Sequence, residues 1–170
     1  METSFVDRLA AAEIGETYNQ YAGSALRRDR LAAYLTARAA APLLLVAEAP
    51  GYRGARVSGI PLTSERQLTG TGPSEATATI VHRTLAELGV EDDVLLWNLV
   101  PTHPGTECSN RRPKPREIEE SRPFLAELAA GRRAIAVGRL AHSRLGGPFV
   151  RHPSRGGAAA FRAGLAVALQ

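Results

Sequence analysis

The chain of 170 residues contains few of the side chains that bind metals or cross-link a fold. Its single cysteine, Cys108, excludes an internal disulfide and cannot by itself hold an iron–sulfur cluster or a structural zinc ion. The histidines are equally sparse, and none is spaced like the ligands of a metal-binding helix. They are His82, His103, His142 and His152. We therefore expect neither a metal nor another cofactor.

Long apolar runs are also missing. The longest, from Ala39 to Ala47, is far shorter than the roughly 20 residues that a helix needs to cross a bilayer. Near the N-terminus, Glu2, Asp7 and Arg8 stand where a signal peptide would need its apolar run. We therefore expect a cytoplasmic protein. Its 44% apolar and 22% charged residues are typical of a globular protein with a buried core.

Lysine is nearly absent, although the chain is basic. The net charge is +4, and Lys114 is the only lysine among 21 basic residues. Arginine suits bidentate contacts with phosphate groups, which favours a nucleic-acid partner. A solvated surface with a compositional bias toward arginine and alanine explains the same counts, so charge alone leaves the partner open.

Apolar runs of strand length alternate with helical patterns along the chain. Strands are predicted at 43–47, 94–100, 134–137 and 149–152, and helices at 4–14, 24–40, 74–88, 115–130, 138–145 and 156–168. The alternation predicts an α/β fold, a three-layer α/β/α sandwich around a central four-stranded parallel sheet. We expect a single domain over 1–170, with a helical N-terminal part at 1–40 and an α/β core at 43–169.

Polar segments that contain glycine and proline follow three of the predicted strands. They are 48–64, 98–113 and 152–157. In open parallel sheets, ligands bind beyond the carboxyl ends of the strands. These segments are therefore expected to meet at one edge of the sheet and to form a site there.

The same segments carry motifs. Glu48-Ala49-Pro50-Gly51 followed by Ser58-Gly59-Ile60-Pro61-Leu62-Thr63 resembles the first active-site motif of uracil-DNA glycosylases, closest to the branch reading Gly-Glu-Ala-Pro-Gly and then Thr-Gly-Arg-Pro-Phe. Leu96-Trp97-Asn98 resembles the strand with that superfamily's uracil-reading asparagine. The segment from Ala136 to Ala141 resembles its third strand and turn, and Arg151-His152-Pro153-Ser154 its histidine motif. The likeness extends over roughly residues 43–165.

The resemblance implies roles for three side chains. Asn98 would read the base, because one amide offers both the donor and the acceptor that uracil's edge requires. His152 would donate to the base oxygen that gains negative charge, and Glu48 would orient water or stabilise the sugar cation. Ala49 stands where other branches have Asp or Asn, so the motif provides no second carboxylate. A glutamate that only organises the loop explains Glu48 equally well.

Further contacts with the base are expected from the loop after the first strand. The candidates are Ala49, Pro50, Gly51, Tyr52 and Leu62. Leu62 stands where the resembling branch usually has a stacking phenylalanine, so Tyr52 is the candidate aromatic wall. An ordinary half-buried tyrosine is the alternative.

Contacts with the DNA backbone are expected from Ser154, Arg155, Arg53 and Arg111. Ser154 is also expected to cap the last helix, at whose N-terminus a phosphate would be favoured. Arg155 would fill the gap left by the flipped base or hold a phosphate. For each arginine, a solvated surface charge is the alternative.

The sequence thus predicts a monomeric, monofunctional DNA glycosylase that flips uracil out of DNA, hydrolyses its glycosidic bond and leaves an abasic site. The branch that it resembles commonly holds an iron–sulfur cluster on four cysteines, and Cys108 alone excludes one here. Two alternatives stay open. The first is a glycosylase of the same fold for another base, such as hypoxanthine or xanthine. The second is a relative that binds nucleic acid without catalysis.

Overall fold

The structure, a computed structural model, describes residues 4–170, so the first three residues of the predicted N-terminal part lie outside it. The helices are α1 (Phe5–Ala11), α2 (Ala25–Ala37), α3 (Ala55–Ser58), α4 (Glu65–Thr69), α5 (Ala76–Leu88), α6 (Pro115–Ala129), α7 (Arg139–Leu145) and α8 (Ala158–Ala168). The strands are β1 (Leu43–Ala47), β2 (Val94–Asn98), β3 (Gly105–Thr106), β4 (Ser109–Asn110), β5 (Arg133–Val137) and β6 (Phe149–Val150). Within this part, no helix is long and apolar enough to span a membrane.

The main sheet has four parallel strands in the order β2-β1-β5-β6, which confirms the predicted architecture. Strand β1 lies inside the sheet, where Leu43 is paired with Val94 on one side and Arg133 on the other. Strands β1 and β2 are nearly continuous runs of apolar residues because they are covered on both faces.

Two clusters of buried side chains form the core, one on each face of the sheet. Leu44 and Val46 of β1 lie in the cluster that receives apolar residues of α1, α2, α6 and α7. Leu45 and Ala47 lie in the cluster that receives those of α5 and α8. Alternate residues of one strand therefore face different helical layers, which confirms the predicted α/β/α sandwich.

The element boundaries differ from the prediction mainly around the loops. Strand β2 ends at Asn98 rather than at residue 100, and the segment after β1 contains the short helices α3 and α4. Helices of four or five residues show no periodicity that a sequence pattern could reveal. The last helix begins at Ala158, and its N-cap residue is Gly157, so the expected capping by Ser154 is wrong.

The carboxyl ends of the strands bring the motif segments to one edge of the sheet. Glu48 follows β1 directly, Asn98 is the last residue of β2, and His152 lies two residues beyond β6. Ala47 and Asn98 are register partners, so the first two of these positions are adjacent on neighbouring strands.

Candidate active site

A cavity of about 520 Å³ opens at this edge of the sheet. Its lining joins the loop after β1, the start of α5, the loop after β2 and the histidine segment. The lining residues are Glu48, Ala49, Pro50, Gly51, Glu75, Thr77, Pro104, Asn110, Arg111, Arg112, His152, Ser154 and Arg155. The structure thus brings together Glu48 and His152, which the sequence places more than a hundred residues apart.

The loop that carries Glu48 is held from behind by the loop after β2. The buried His103 ring places Nδ1 2.7 Å from the Pro50 carbonyl oxygen and Nε2 2.9 Å from that of Thr106. The Tyr52 backbone N–H donates to Asn110 Oδ1 at 2.9 Å. These bonds fix the backbone of the motif loop against the β3–β4 hairpin. No motif in the sequence marks His103 as part of the site.

Glu48 is a half-buried carboxylate at the cavity wall. Burial raises the pKa of its side chain, and the positive charge of Arg112 partly opposes that shift. Within residues 4–170, no side-chain or backbone group donates a hydrogen bond to the Glu48 carboxylate. An unpaired carboxylate in this position is available to water or to a developing positive charge.

The hydrogen bonds of His152 define its tautomer. The backbone N–H of Ser154 donates to Nδ1 at 3.1 Å, so Nδ1 carries no proton and the neutral ring bears its hydrogen on Nε2. The Ser154 hydroxyl also lies 2.7 Å from Nδ1. Burial lowers the pKa of His152, which favours this neutral form. Nε2–H is thus a donor at the cavity wall, and Ser154 orients the ring instead of capping a helix.

Asn98 lies deeper than the expected contact residues. It is 1% exposed and does not line the cavity surface. Neither its Oδ1 nor its Nδ2 atom has a hydrogen-bond partner within the described chain. Burying an unpaired amide costs on the order of 1–3 kcal/mol for each polar atom. Asn98 is therefore a buried donor–acceptor pair without a structural partner, directly beside Ala47, which precedes Glu48.

Only some of the residues expected to contact the base line the cavity. Ala49, Pro50 and Gly51 line the cavity, whereas Tyr52 and Leu62 do not. Leu62 is 8% exposed and packs in the cluster on the α5 and α8 face of the sheet. Its backbone is in the left-handed region with φ +52°, which strains a non-glycine residue. Tyr52 is half-buried and lies outside the lining, so its ring forms no wall of the cavity.

The basic candidates also differ from one another. Arg155 is exposed at the cavity mouth, with φ +51°, and Arg112 lies exposed at the same cavity. Arg111 lines the cavity too, but Nη1 and Nη2 donate to the two carboxylate oxygens of Glu117 at 2.9 and 2.6 Å. Its charge is thus neutralised by a structural partner, which sequence reasoning did not anticipate. Arg53 is exposed and lies outside the cavity lining.

The lining includes residues that sequence reasoning missed, above all Glu75. It lies at the start of α5, twelve residues beyond the end of the motif at Thr63, and its neighbours indicate only a helix start. Thr77, Pro104 and Asn110 also line the cavity, because the fold brings their segments to it. Across residues 4–170, no three His, Cys, Asp or Glu side chains come together so that they could hold a metal ion.

Comparison with known proteins identifies the class. The sequence pattern of the uracil DNA glycosylase superfamily matches residues 35–165. This chain therefore belongs to the uracil DNA glycosylase superfamily, whose members are DNA glycosylases.

A solved structure has a similar fold. The crystal structure of wild-type Pedobacter heparinus SMUG2 is similar, with a TM-score of 0.55 and 12% sequence identity. The similarity covers 81% of this chain and 76% of that one. At this identity the likeness shows the fold alone. No curated protein sequence matches this chain.

Proposed function

We propose that the protein is a monofunctional glycosylase that hydrolyses the N-glycosidic bond of uracil in DNA and leaves an abasic site. The observation that carries this proposal is the buried amide of Asn98, which has no partner among the described residues. Uracil presents a neighbouring donor and acceptor that one amide can pair, whereas cytosine presents the opposite polarity at one position. A mismatch would leave a buried polar group unpaired, which discriminates strongly.

The other site residues fit the charges of this reaction. Breaking the C1′–N bond of the nucleotide builds negative charge on the leaving base and positive charge on the sugar. His152 Nε2–H would donate to the base oxygen that gains charge, and the neutral ring is the form that its partners favour. Glu48, which lines the same cavity, would stabilise the sugar cation. Ala49, Pro50 and Gly51 would contact the flipped base.

The DNA backbone would be held at the mouth of the cavity. Arg155 and Arg112 are exposed there, and no described acidic residue forms an ion pair with either. Ser154 would contribute a polar contact beside them, and Arg53 a further charge on the surface. Arg111 would contribute less, because Glu117 already accepts its donors. Phosphate contacts of this kind make binding depend on salt concentration.

The proposal is tested with a labelled oligonucleotide that carries one uracil, offered in single- and double-stranded form. We expect an alkali-labile site at the uracil and none in a matched oligonucleotide with cytosine at the same position. We also expect Asn98→Ala to lose most of the turnover and of the preference for uracil over cytosine. No alkali-labile site with either form of the uracil substrate would refute uracil as the substrate.

A second candidate is the same reaction on a larger deaminated base, such as hypoxanthine or xanthine. It is favoured by the volume of about 520 Å³ and by the absence of Leu62 and Tyr52 from the lining, which leaves no aromatic wall fitted to a pyrimidine. A panel of oligonucleotides with one modified base each separates the two candidates. If wild type and Glu48→Ala bind uracil DNA equally and neither turns over any base, a non-catalytic binding protein is favoured instead.

A further inference from the structure

Glu75 reaches the cavity from an element outside the motifs. It is the residue before α5, and its backbone N–H donates to Ser64 Oγ at 2.9 Å. A polar side chain at this position can cap the helix by accepting a hydrogen bond from a backbone N–H, but the side chain of Glu75 makes no capping hydrogen bond. Its carboxylate instead lines the same cavity as Glu48 and His152.

Glycines of the motif loop make room for this carboxylate. A Cβ atom on either Gly51 or Gly54 would overlap Glu75 Oε2. Neither glycine has a positive φ that would otherwise require the residue type. The absence of side chains at Gly51 and Gly54 therefore serves the close approach of the carboxylate to the loop backbone.

The carboxylate has no structural partner. No hydrogen bond or ion pair joins the Glu75 side chain to any other residue of the described part of the chain, in contrast to its well-anchored backbone. Burial raises its pKa, with no neighbouring cation opposing the shift. A half-buried carboxylate without a partner costs stability, so a purely structural role does not account for its position.

Glu75 also supplies the second carboxylate that Ala49 cannot provide. The motif supplies one carboxylate, Glu48, and the next side chain is a methyl group that neither accepts nor donates a proton. The structure places the Glu75 carboxylate over the two glycines that follow in the same loop. The cavity therefore contains a pair of carboxylates, one from the end of β1 and one from the start of α5.

We propose that Glu75 is a catalytic carboxylate that orients and deprotonates the water attacking the sugar. This inference rests on the proposed glycosylase function and divides the work between the two glutamates. The water oxygen forms a bond to C1′ and gives its proton to Glu75. The C1′–N bond breaks, and its electron pair leaves with the base, which is protonated from solvent afterwards. Glu48 then stabilises the sugar cation without taking a proton.

Charged groups from every segment around the cavity share its lining with this carboxylate. Glu48 contributes a negative charge to that lining, while burial is the cause of the raised pKa of Glu75. Arg112 and Arg155 add positive charge from the mouth, Arg111 is neutralised by Glu117, and His152 is neutral. The group that takes the proton should therefore be visible as a limb of the rate–pH profile on the acidic side.

The decisive experiment compares Glu75→Gln with Glu87→Gln, an exposed glutamate of the same helix outside the cavity. Single-turnover rates are measured on uracil DNA across pH. Binding is measured with the same sequence carrying a 2′-fluoro nucleotide that resists hydrolysis. For Glu75→Gln we expect a rate loss of about 10²–10⁴-fold, binding within about threefold of wild type, and loss of the acidic limb. Glu87→Gln should match wild type in all three.

A second variant keeps the test valid if Glu75→Gln unfolds, which its melting curve would reveal. Glu75→Ala leaves space in which added formate can act as the missing carboxylate, and we expect formate to restore part of the rate. A Glu75→Gln rate within about threefold of wild type with an unchanged pH profile overturns this inference alone. An inactive Glu75→Ala that formate does not rescue, but that folds and binds DNA, also overturns it. Absence of turnover by wild type on every base tested overturns the proposed function first.

Discussion

The carboxylates of Glu117 and Glu75 have opposite environments. Glu117 accepts two hydrogen bonds from Arg111 and others from the backbone N–H groups of Lys114 and Glu16. These donors, above all Arg111, lower the pKa of Glu117 to about 2. Burial raises the pKa of Glu75, which has no such donors.

The difference separates structural from functional charge. The hydrogen bonds of Glu117 hold residues 111–114 and the segment around Glu16 together. Its carboxylate is therefore occupied by structural partners. Glu48 resembles Glu75, because it too is half-buried, has a raised pKa and lines the cavity. Partnered carboxylates stabilise a fold, while unpartnered ones at a cavity are available to a substrate.

Removing charge from the unpartnered group should change the rate and leave the fold intact. For Glu48→Gln we expect a loss of about 10²–10³-fold in the single-turnover rate on uracil DNA, equivalent to about 3–4 kcal/mol of transition-state stabilisation. Its melting temperature should be unchanged or slightly higher, because a buried charge without a donor is removed. A large drop in melting temperature would assign Glu48 a structural role.

Removing charge from the partnered group should have the reverse effect. Glu117→Gln leaves Arg111 with a neutral partner, and the side chain of Glu117 is only 1% exposed. We expect a loss of about 3 kcal/mol in the free energy of unfolding, at the low end for buried pairs because Arg111 is 31% exposed. Urea titration measures this value. Glu119→Gln, an exposed glutamate on the same helix, is the matched control and should change stability little.

Acid titration separates the same two kinds of carboxylate in the wild-type protein. The pKa of Glu117 is lowered in the folded state, so its contribution is present above about pH 4.5 and is lost as the pH falls toward about 2. That contribution is on the order of 3 kcal/mol. Glu48 and Glu75 act in the opposite sense, because their raised pKa values favour the folded state only when they are protonated. Denaturant titrations from pH 2 to 7 should therefore show a drop on the acidic side that Glu117→Gln reduces.

The sequence predicted the fold more completely than the site. Buried strands leave continuous apolar runs, and β1 and β2 could be located because both faces are covered. Glu48 and His152 could be predicted because each lies at the carboxyl end of a strand within a motif. Glu75 could not, because its role depends on the space above Gly51 and Gly54, which no local pattern encodes. The pairing of Arg111 with Glu117 could not be predicted from the sequence. Two charged residues at this spacing look the same in a sequence whether they form an ion pair or face solvent separately.

The smallest expected effect tests the space that the glycines leave for Glu75. Gly54→Ala places a Cβ atom against Glu75 Oε2, the end of a flexible side chain that can move away at little cost. We expect a small change in melting temperature and a loss of roughly tenfold in the single-turnover rate, because the carboxylate moves from its position by about an ångström. Gly23→Ala is the control, since a Cβ atom there meets no atom within 4 Å. If Gly54→Ala retains the full rate, the position of Glu75 is not critical to the reaction, and Glu75 differs from Glu117 only in its lack of hydrogen-bond partners.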